Sequence, residues 1–295
     1  MLTSSKHTGL LQRYLSLVKF SHTVFALPFA MLGLTLGVAD SGQPLNWQLL
    51  VKVLLCMVFT RNAAMAFNRW LDRRYDALNP RTAVREIPAG LIAPQSALLF
   101  TLVNSALFIL TTWFINPACF YLSFIALFVV LFYSYTKRFT PLCHLVLGLG
   151  LALAPVGAYL AVTGYFALLP VLYALVVFTW VAGFDIIYAL QDEDFDRSQK
   201  LHSIPVALGK RRALGVSNLL HLISGSLVFY AGWLGSFNGL YWAGAAVFAG
   251  LLLYQHLIIS PTNLRRVNAA FATTNGAASI LFATFAILSR TLPLL

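Results

Sequence analysis

Nine stretches of about 20 predominantly apolar residues follow one another along the chain, and they restrict the possible folds most severely. A helix of about 20 residues crosses the hydrocarbon core of a bilayer, because each residue adds about 1.5 Å. With 59% hydrophobic and only 10% charged residues, the chain has more apolar surface than one water-soluble core could bury. The sequence therefore predicts an all-α polytopic membrane protein with spans near 20–39, 48–67, 95–115, 118–135, 142–163, 165–184, 214–234, 239–259 and 270–292.

The basic residues sort to alternate gaps between these spans. Seventeen of the 20 Lys and Arg residues lie in the N-terminal segment or in the gaps after the second, fourth, sixth and eighth spans. The gaps 40–47, 116–117, 163–166 and 235–240 contain none. Because cytoplasmic loops carry the excess of Lys and Arg, the N-terminus and every basic loop are predicted to be cytoplasmic. The net charge of +11 is then a signal of topology, and we expect no nucleic-acid partner.

Eight of the nine acidic residues lie in or beside the two longest basic gaps. In the first gap, Asn68, Asp72 and Asp76 are spaced at i, i+4 and i+8, so they share one face of a helix. Carboxylates stacked in this way repel each other, and near a bilayer an ionised carboxylate is costly unless a cation neutralises it. The first gap is therefore predicted to present an acidic stripe that binds a cation.

A second acidic stripe follows the sixth span. Asp185, Asp192 and Asp196 fall within an arc of about 40° if the sixth helix continues through them, and Tyr188 lies close to that face. Oxygen donors of this kind suit Mg²⁺, which takes its remaining ligands from phosphates. Because basic side chains surround the stripes, the pattern is typical of a receptor for a metal-bound diphosphate. The alternative interpretation is that the acids only form salt bridges with neighbouring arginines on a solvated loop surface.

The motifs at the span ends resemble those of the UbiA superfamily of intramembrane aromatic prenyltransferases. The family's first motif, N-D-x-x-D-x-x-x-D, is similar to Asn68–Asp76, except that Arg69 stands where the family commonly has Asp. Its D-x-x-x-D motif is similar to Asp192–Asp196, and its Y-x-x-x-K signature is similar to Tyr133–Lys137. The flanking segment 79–90 also resembles the family. Because Arg69 lies about 100° around the helix from the preceding residue, its presence leaves the acidic stripe intact.

The resemblance implies nine transmembrane helices around a central cavity that opens to the cytoplasmic side, formed by one domain over residues 1–295. It also implies Mg²⁺ as cofactor, the lipid bilayer as surroundings and no obligate protein partner. The implied metal ligands are Asn68, Asp72, Asp76, Asp192 and Asp196. The implied diphosphate-binding residues are Lys137, Arg138, Arg81 and Tyr133. Asp72, Asp192 and Lys137 are the candidate catalytic residues, because Lys137 and the Mg²⁺ held by the two aspartates would stabilise the leaving diphosphate.

The resemblance further implies transfer of a polyprenyl group from its diphosphate to a ring carbon of an aromatic acid in quinone biosynthesis. It favours 4-hydroxybenzoate as acceptor, with a dihydroxynaphthoate as the alternative, and a bacterial inner membrane as the location. The acceptor carboxylate calls for a nearby cation, and the candidate acceptor-binding residues are Arg61, Lys19, Asp185 and Tyr188, with His22 as a further possibility. Arg61 could equally pair with a buried acid such as Asp185.

A different class of protein, an ion-coupled membrane transporter, remains open from the residues alone. Carboxylates in membrane proteins often mark ion pathways. Against this class, the acids lie at one end of the spans, and no pair of Gly/Pro-broken helices stands in matching positions.

Overall fold

The computed structural model describes residues 9–18 and 25–292 of the chain. Within these ranges the chain forms helices and no β-strand. The helices are α1 (Leu10–Leu17), α2 (Leu27–Ser41), α3 (Trp47–Leu78), α4 (Pro94–Trp113), α5 (Pro117–Thr136), α6 (Cys143–Thr163), α7 (Leu168–Ala189), α8 (Glu193–Ser198), α9 (Ile204–Leu234), α10 (Gly239–Ile258) and α11 (Asn275–Thr291). A 3₁₀ turn (Leu190–Asp192) joins α7 to α8, and a π-helical turn (Ala269–Thr274) leads into α11. In the described part of the chain, eight helical segments are long and apolar enough to cross a membrane, and α2 is a shorter apolar helix.

Two helices extend well beyond their predicted spans. α3 has 32 residues, which at 1.5 Å per residue is about 48 Å, against a hydrocarbon core of about 30 Å. Its last third therefore carries the first acidic motif beyond the apolar layer while remaining helical. α9 begins at Ile204 rather than near residue 214, and the Ser203 hydroxyl caps its first turn by accepting a bond from the Val206 N–H. Gly209, with φ 75° and ψ 161°, kinks α9 between this short first part and the long apolar part.

The sixth predicted span does not continue as one α-helix through its acidic residues. α7 ends at Ala189, and the 3₁₀ turn separates it from α8. A 3₁₀ turn has about three residues per turn, so it shifts the angular positions of the residues that follow. The predicted arc of about 40° for Asp185, Asp192 and Asp196, which required a continuous helix, is therefore wrong.

α7 forms the centre of the bundle and packs against α6 and α9. Tyr173, Val177 and Trp180 are fully buried, which explains why this helix is apolar around most of its circumference. Close helix approach depends on a small residue at Gly148 of α6, where an added Cβ would lie 2.5 Å from the carbonyl oxygen of Phe178.

The segments that carry the charged motifs meet at one end of the bundle. The C-terminal ends of α3, α5 and α7 lie there, together with the N-terminal ends of α6 and α9. The connection after α5 is joined to the connection before α9 by a bond from the His202 N–H to the Lys137 carbonyl at 2.7 Å. We call this region the acidic end.

Candidate active site

The first acidic motif lies along one face of the C-terminal part of α3. Asn68 Nδ2 donates to Asp72 Oδ2 at 3.0 Å, so these side chains are adjacent, as their spacing predicts. One turn later Asp76 is buried, and its Oδ1 accepts a bond from Arg85 at 2.6 Å. The other carboxylate oxygen, Asp76 Oδ2, is buried and has no hydrogen-bond donor among the described residues. A buried oxygen of this kind suits a cation.

The second acidic motif is held by residues from two other connections. Asp192 accepts bonds from Arg81 Nε at 3.0 Å and from Asn79 Nδ2 at 3.2 Å, and both donors lie just after α3. Arg81 Nη2 contacts the second oxygen of Asp192, so the guanidinium binds the carboxylate in a bidentate manner. Asp196 is 1% exposed and pairs with Lys137 Nζ at 2.7 Å.

Lys137 and Arg138 connect the two motifs. Lys137 binds Asp196 of the second motif, while the next residue, Arg138, binds Asp72 Oδ1 of the first at 2.9 Å. Neighbouring Cα atoms are about 3.8 Å apart, so both motifs lie within the reach of two adjacent side chains. The two acidic motifs therefore face each other with basic residues between them.

The motif carboxylates raise the pKa values of two basic side chains that lie outside the membrane-spanning segments. Burial favours a lower pKa for the Lys137 ammonium, but the charge of Asp196 and, beyond it, Asp192 raises that pKa above its ordinary value. Burial also acts to lower the pKa of the Arg81 guanidinium, and its bond to Asp192 raises it above the usual value. Both side chains thus remain positively charged at neutral pH.

The donor set suits Mg²⁺ that arrives together with phosphate. No group of three or more His, Cys, Asp or Glu side chains in the described ranges is arranged to hold a metal by itself. Mg²⁺ in phosphate sites commonly uses one or two carboxylates and takes its other ligands from water and phosphate. Two carboxylates from each motif and the Asn68 amide oxygen supply donors of this hard-oxygen type, and one of these donors is the buried Asp76 Oδ2. The residues present therefore fit the ion.

An apolar cavity of about 340 Å³ lies between α3, α4, α5 and α6. Its lining follows α3 from Val53 to Met65, which corresponds to about 18 Å of helix. Arg61 and Tyr133 lie in this lining on the side towards the acidic end. Ile125 also lines the cavity and is 62% exposed on the outer surface, so the cavity reaches the surface that faces lipid.

The four predicted acceptor-binding residues have different surroundings. Arg61 lines the cavity, and its Nη2 donates to the Val18 carbonyl at 3.3 Å. The Tyr188 hydroxyl accepts a bond from Arg81 Nη1 at 2.8 Å, which places it at the acidic end. Asp185 forms a hydrogen bond with His144 of α6. Lys19 lies outside the described residues, as does His22.

His144 and Asn79 are two polar residues of this region that were not among the site residues predicted from the sequence. His144 Nδ1 lies 2.7 Å from Asp185 Oδ2, and its Nε2 accepts from the Ile204 N–H at 3.4 Å, so Nδ1 is the donor to the carboxylate. His144 follows Cys143 at the start of an apolar run, and no spacing marks it as a partner of Asp185. Asn79 follows the last helical residue of α3, where an Asn is usually a capping or turn residue.

The chain is similar to known proteins over most of its length. Residues 26–285 match the sequence profile of the UbiA prenyltransferase family. The 4-hydroxybenzoate octaprenyltransferase of Tolumonas auensis is 30% identical over 248 residues, which are 84% of this chain and 86% of that protein. The apo structure of a UbiA homologue from Aeropyrum pernix K1 is 32% identical, with a TM-score of 0.80, and the match covers 90% of this chain and 97% of that one.

A more distant structure shares the fold. It is a UbiA homologue from Archaeoglobus fulgidus bound to GPP and Mg²⁺, with a TM-score of 0.73 and 23% identity over 95% of this chain and all of that one. The profile match spans both acidic motifs, the Lys137–Arg138 pair and the helices that line the cavity. The chain therefore belongs to the UbiA prenyltransferase family.

Proposed function

We propose that this protein transfers a polyprenyl group from a polyprenyl diphosphate to a ring carbon of 4-hydroxybenzoate, with Mg²⁺ as cofactor. The observation that carries the proposal is the pair of acidic motifs facing each other across Lys137 and Arg138, beside a long apolar cavity. Relatives at about 30% identity are named 4-hydroxybenzoate octaprenyltransferases, which supports this acceptor and a long polyprenyl donor.

The acidic end is proposed to bind the diphosphate of the donor. Its metal ligands are Asn68, Asp72, Asp76, Asp192 and Asp196. Bound Mg²⁺ supplies positive charge that stabilises the leaving diphosphate. Lys137, Arg138 and Arg81 bind further phosphate oxygens, and Tyr133 supplies a hydroxyl at the boundary with the cavity.

Binding of the donor requires an exchange of ionic partners at the acidic end. Arg81, Lys137 and Arg138 each neutralise a motif aspartate when no substrate is bound. A metal diphosphate carries both positive and negative charge. The basic side chains can therefore bind its phosphate oxygens while the carboxylates bind its metal. If only the metal or only the diphosphate binds, some of the carboxylates or basic side chains lose their partner. A partly buried charge without a partner is costly.

The polyprenyl tail is proposed to lie in the apolar cavity, which it enters from the lipid-facing surface beside Ile125. The acceptor carboxylate binds Arg61, which lies seven residues, about 10 Å of helix, before Asn68. Lys19, Asp185 and Tyr188 complete the acceptor site.

Bond breaking then precedes bond formation. As the C1–O bond of the donor breaks, Lys137, Arg138 and Arg81 stabilise the negative charge on the departing diphosphate, and C1 becomes an allylic cation. An electron-rich ring carbon of the acceptor forms the new C–C bond, and transfer of the ring proton to a base restores the aromatic system. The apolar cavity limits the water that could otherwise capture the cation.

The chain is an integral membrane protein with several spans. We place its N-terminus and its acidic end on the cytoplasmic side of a bacterial inner membrane. The distribution of Lys and Arg supports this orientation, and the named relatives are bacterial.

Purified membranes containing the full chain test the activity directly. They are incubated with Mg²⁺, a labelled polyprenyl diphosphate and a panel of acceptors that includes 4-hydroxybenzoate and a dihydroxynaphthoate. We expect prenylated 4-hydroxybenzoate, and we expect Asp72→Asn and Asp192→Asn to lower the rate at least about 100-fold. Asp194→Asn is the matched control, because Asp194 lies in the same acidic segment but is exposed.

Three outcomes would contradict the proposal. If only the dihydroxynaphthoate is prenylated, the proposed acceptor is wrong and the proposed prenyl transfer is correct. Full activity in excess EDTA, or in Asp192→Asn, would overturn the role of the acidic motifs. An absence of prenylated product with every acceptor would overturn the proposed reaction.

A further inference from the structure

The π-helical turn before α11 is an irregularity that the proposed mechanism does not use. A π-helical turn contains an additional residue, so side chains before it are rotated by about 100° relative to a continuous α-helix. Such turns occur mostly as single insertions in helices, and they are frequent near functional sites. This one spans Ala269–Thr274 and runs directly into α11.

Asn275 holds this turn with all four of its side-chain hydrogen-bonding positions. Its Nδ2 donates to the carbonyls of Ala270 and Phe271, both at 3.1 Å. Its Oδ1 accepts from Trp180 Nε1 of α7 at 2.8 Å and from Gln255 Nε2 of α10 at 2.7 Å. Asn275 is fully buried, and an Asn amide can make no further bonds of this kind. The turn is therefore anchored to two neighbouring helices.

The turn places Phe271 against Tyr188 of the acidic end. The ring centroids of Phe271 and Tyr188 are 4.3 Å apart, the shortest separation of the aromatic contacts described for this chain. Phe271 also contacts Phe184 and Phe25, each with a centroid distance of 5.4 Å. In this arrangement the Tyr188 ring is held by packing on the side of the π-helical turn.

Tyr188 in turn contacts the base that binds the second acidic motif. Its hydroxyl accepts a bond from Arg81 Nη1 at 2.8 Å, and the Arg81 guanidinium lies 5.2 Å from the ring centroid. The same guanidinium binds Asp192. A continuous series of contacts therefore leads from Asn275 through Phe271 and Tyr188 to Arg81.

We infer that Phe271, held by Asn275 in the π-helical turn, is a positioning residue for Arg81 and acts through Tyr188. This inference rests on the proposed function, in which Arg81 binds the donor diphosphate. Loss of the Phe271 ring allows the Tyr188 side chain to rotate, and Arg81 then loses the hydroxyl that orients it. The displaced Arg81 then binds the donor diphosphate more weakly.

The test measures binding of inorganic pyrophosphate in the presence of Mg²⁺ to the full chain in detergent, by calorimetry. We expect Phe271→Leu to weaken this binding about three- to tenfold, within the range of contacts that couple through one neighbour. Phe271→Tyr keeps the ring and is expected to restore binding. Phe282→Leu is the matched control, because Phe282 is fully buried in the aromatic core and its ring contacts do not include Tyr188.

A second variant establishes the route of the effect. In Tyr188→Leu the contact with Arg81 is already lost, so adding Phe271→Leu is expected to weaken binding no further. In steady-state assays Phe271→Leu should raise KM for the polyprenyl diphosphate, with kcat unchanged. Asn275→Ala should reproduce this pattern, and if that variant does not fold, the Phe271 variants carry the test alone.

The outcomes separate this inference from the proposed function. If Phe271→Leu binds Mg²⁺-pyrophosphate as Phe282→Leu does, or if its effect adds fully to that of Tyr188→Leu, the positioning role is wrong while diphosphate binding stands. If the unmodified chain does not bind Mg²⁺-pyrophosphate, the proposed function is wrong, and the inference falls with it.

Discussion

Each of the four motif aspartates forms an ion pair with one basic side chain. Asp72, Asp76, Asp192 and Asp196 pair with Arg138, Arg85, Arg81 and Lys137, respectively. Removal of one partner from a buried ion pair commonly costs about 3–5 kcal/mol, because the remaining charge has lost its counter-charge. The bases therefore serve two purposes in our proposal, since they protect the carboxylates before substrate binds and neutralise phosphate afterwards.

This double role predicts an unusual effect of Arg81→Gln on metal binding. In the absence of diphosphate, Arg81 competes with a cation for Asp192, so the substitution should strengthen binding of Mg²⁺ alone by about tenfold. It should weaken binding of Mg²⁺-pyrophosphate, because a phosphate contact is lost. Calorimetry on the detergent-solubilised protein measures both.

Arg197→Gln is the control for this prediction. Arg197 pairs with Glu193 in the same segment, at 2.9 Å, and that pair includes no motif aspartate. Both affinities should remain unchanged in this variant. An unchanged affinity of Arg81→Gln for Mg²⁺ alone would contradict the exchange of ionic partners.

Arg61 and Lys137 are predicted to affect different substrates, because they lie at different depths. Lys137 is at the acidic end, whereas Arg61 lines the apolar cavity. Lys137→Ala should raise KM for the donor or lower kcat, and Arg61→Ala should mainly raise KM for the carboxylate-bearing acceptor. An acceptor analogue without its carboxylate should lose little further activity in Arg61→Ala. Equal losses with both acceptors would show that Arg61 does not bind the carboxylate.

Among the helices, α6 and α7 are the pair whose close approach positions both the cavity and the acidic end. α6 lines the cavity, and α7 leads into the second acidic motif. Their backbones meet at Gly148, where a Cβ would lie 2.5 Å from the Phe178 carbonyl oxygen. Backbone atoms cannot move aside as a flexible side chain can, so a larger residue at this position must separate the helices.

We therefore expect Gly148→Ala to destabilise the protein by about 1–3 kcal/mol, as other substitutions that overpack a core do. Gly157→Ala, in the same helix, meets no atom within 4 Å and should be neutral or stabilising by up to about 1 kcal/mol. Thermal unfolding in detergent, followed by intrinsic fluorescence, compares the two variants. Equal midpoints would contradict the importance of the close approach.

In the molecule as a whole, the apolar helices and the charged connections determine the placement in the membrane. Basic residues accumulate at the acidic end, while the connections at the opposite end carry few charges. The positive-inside rule places these basic residues in the cytoplasm, and anionic lipids of the cytoplasmic leaflet attract them. Both effects favour an orientation in which the acidic end faces the cytoplasm. That residues 1–295 form one domain stays a prediction.

Cysteine labelling in intact cells tests this orientation. In a variant with Cys56, Cys119 and Cys143 replaced by alanine, a single cysteine is introduced as Arg74→Cys, Arg211→Cys or Gln43→Cys, all at exposed positions. An impermeant maleimide added outside should label only Gln43→Cys, and the other two should react after the membrane is broken. Labelling of Arg74→Cys from outside would invert the proposed topology.

Much of the architecture could be predicted because hydrophobic spans and helical spacing are local properties. The apolar runs predicted the membrane helices, and the i, i+4 spacing of Asn68 and Asp72 predicted their contact. Family motifs predicted membership in the UbiA prenyltransferase family, which the profile match confirms. Helix ends were less predictable, since α3 continues as a polar helix beyond its apolar run and α9 begins ten residues before its predicted span, with a kink at Gly209.

Ion-pair partners and irregular turns were decided by the tertiary structure. Arg81 lies 111 positions from Asp192 and Arg138 lies 66 positions from Asp72, so only the packing of the helices brings them together. The partner of Asp185 is His144, because α6 and α7 pack side by side. The π-helical turn depends on bonds from Asn275 to α7 and α10, which no local pattern shows. The sequence by itself determined which segments are helical and where the acidic residues cluster, because both depend on residues that are close along the chain. Which acid pairs with which base depends on distances in space, and only the tertiary fold sets those distances.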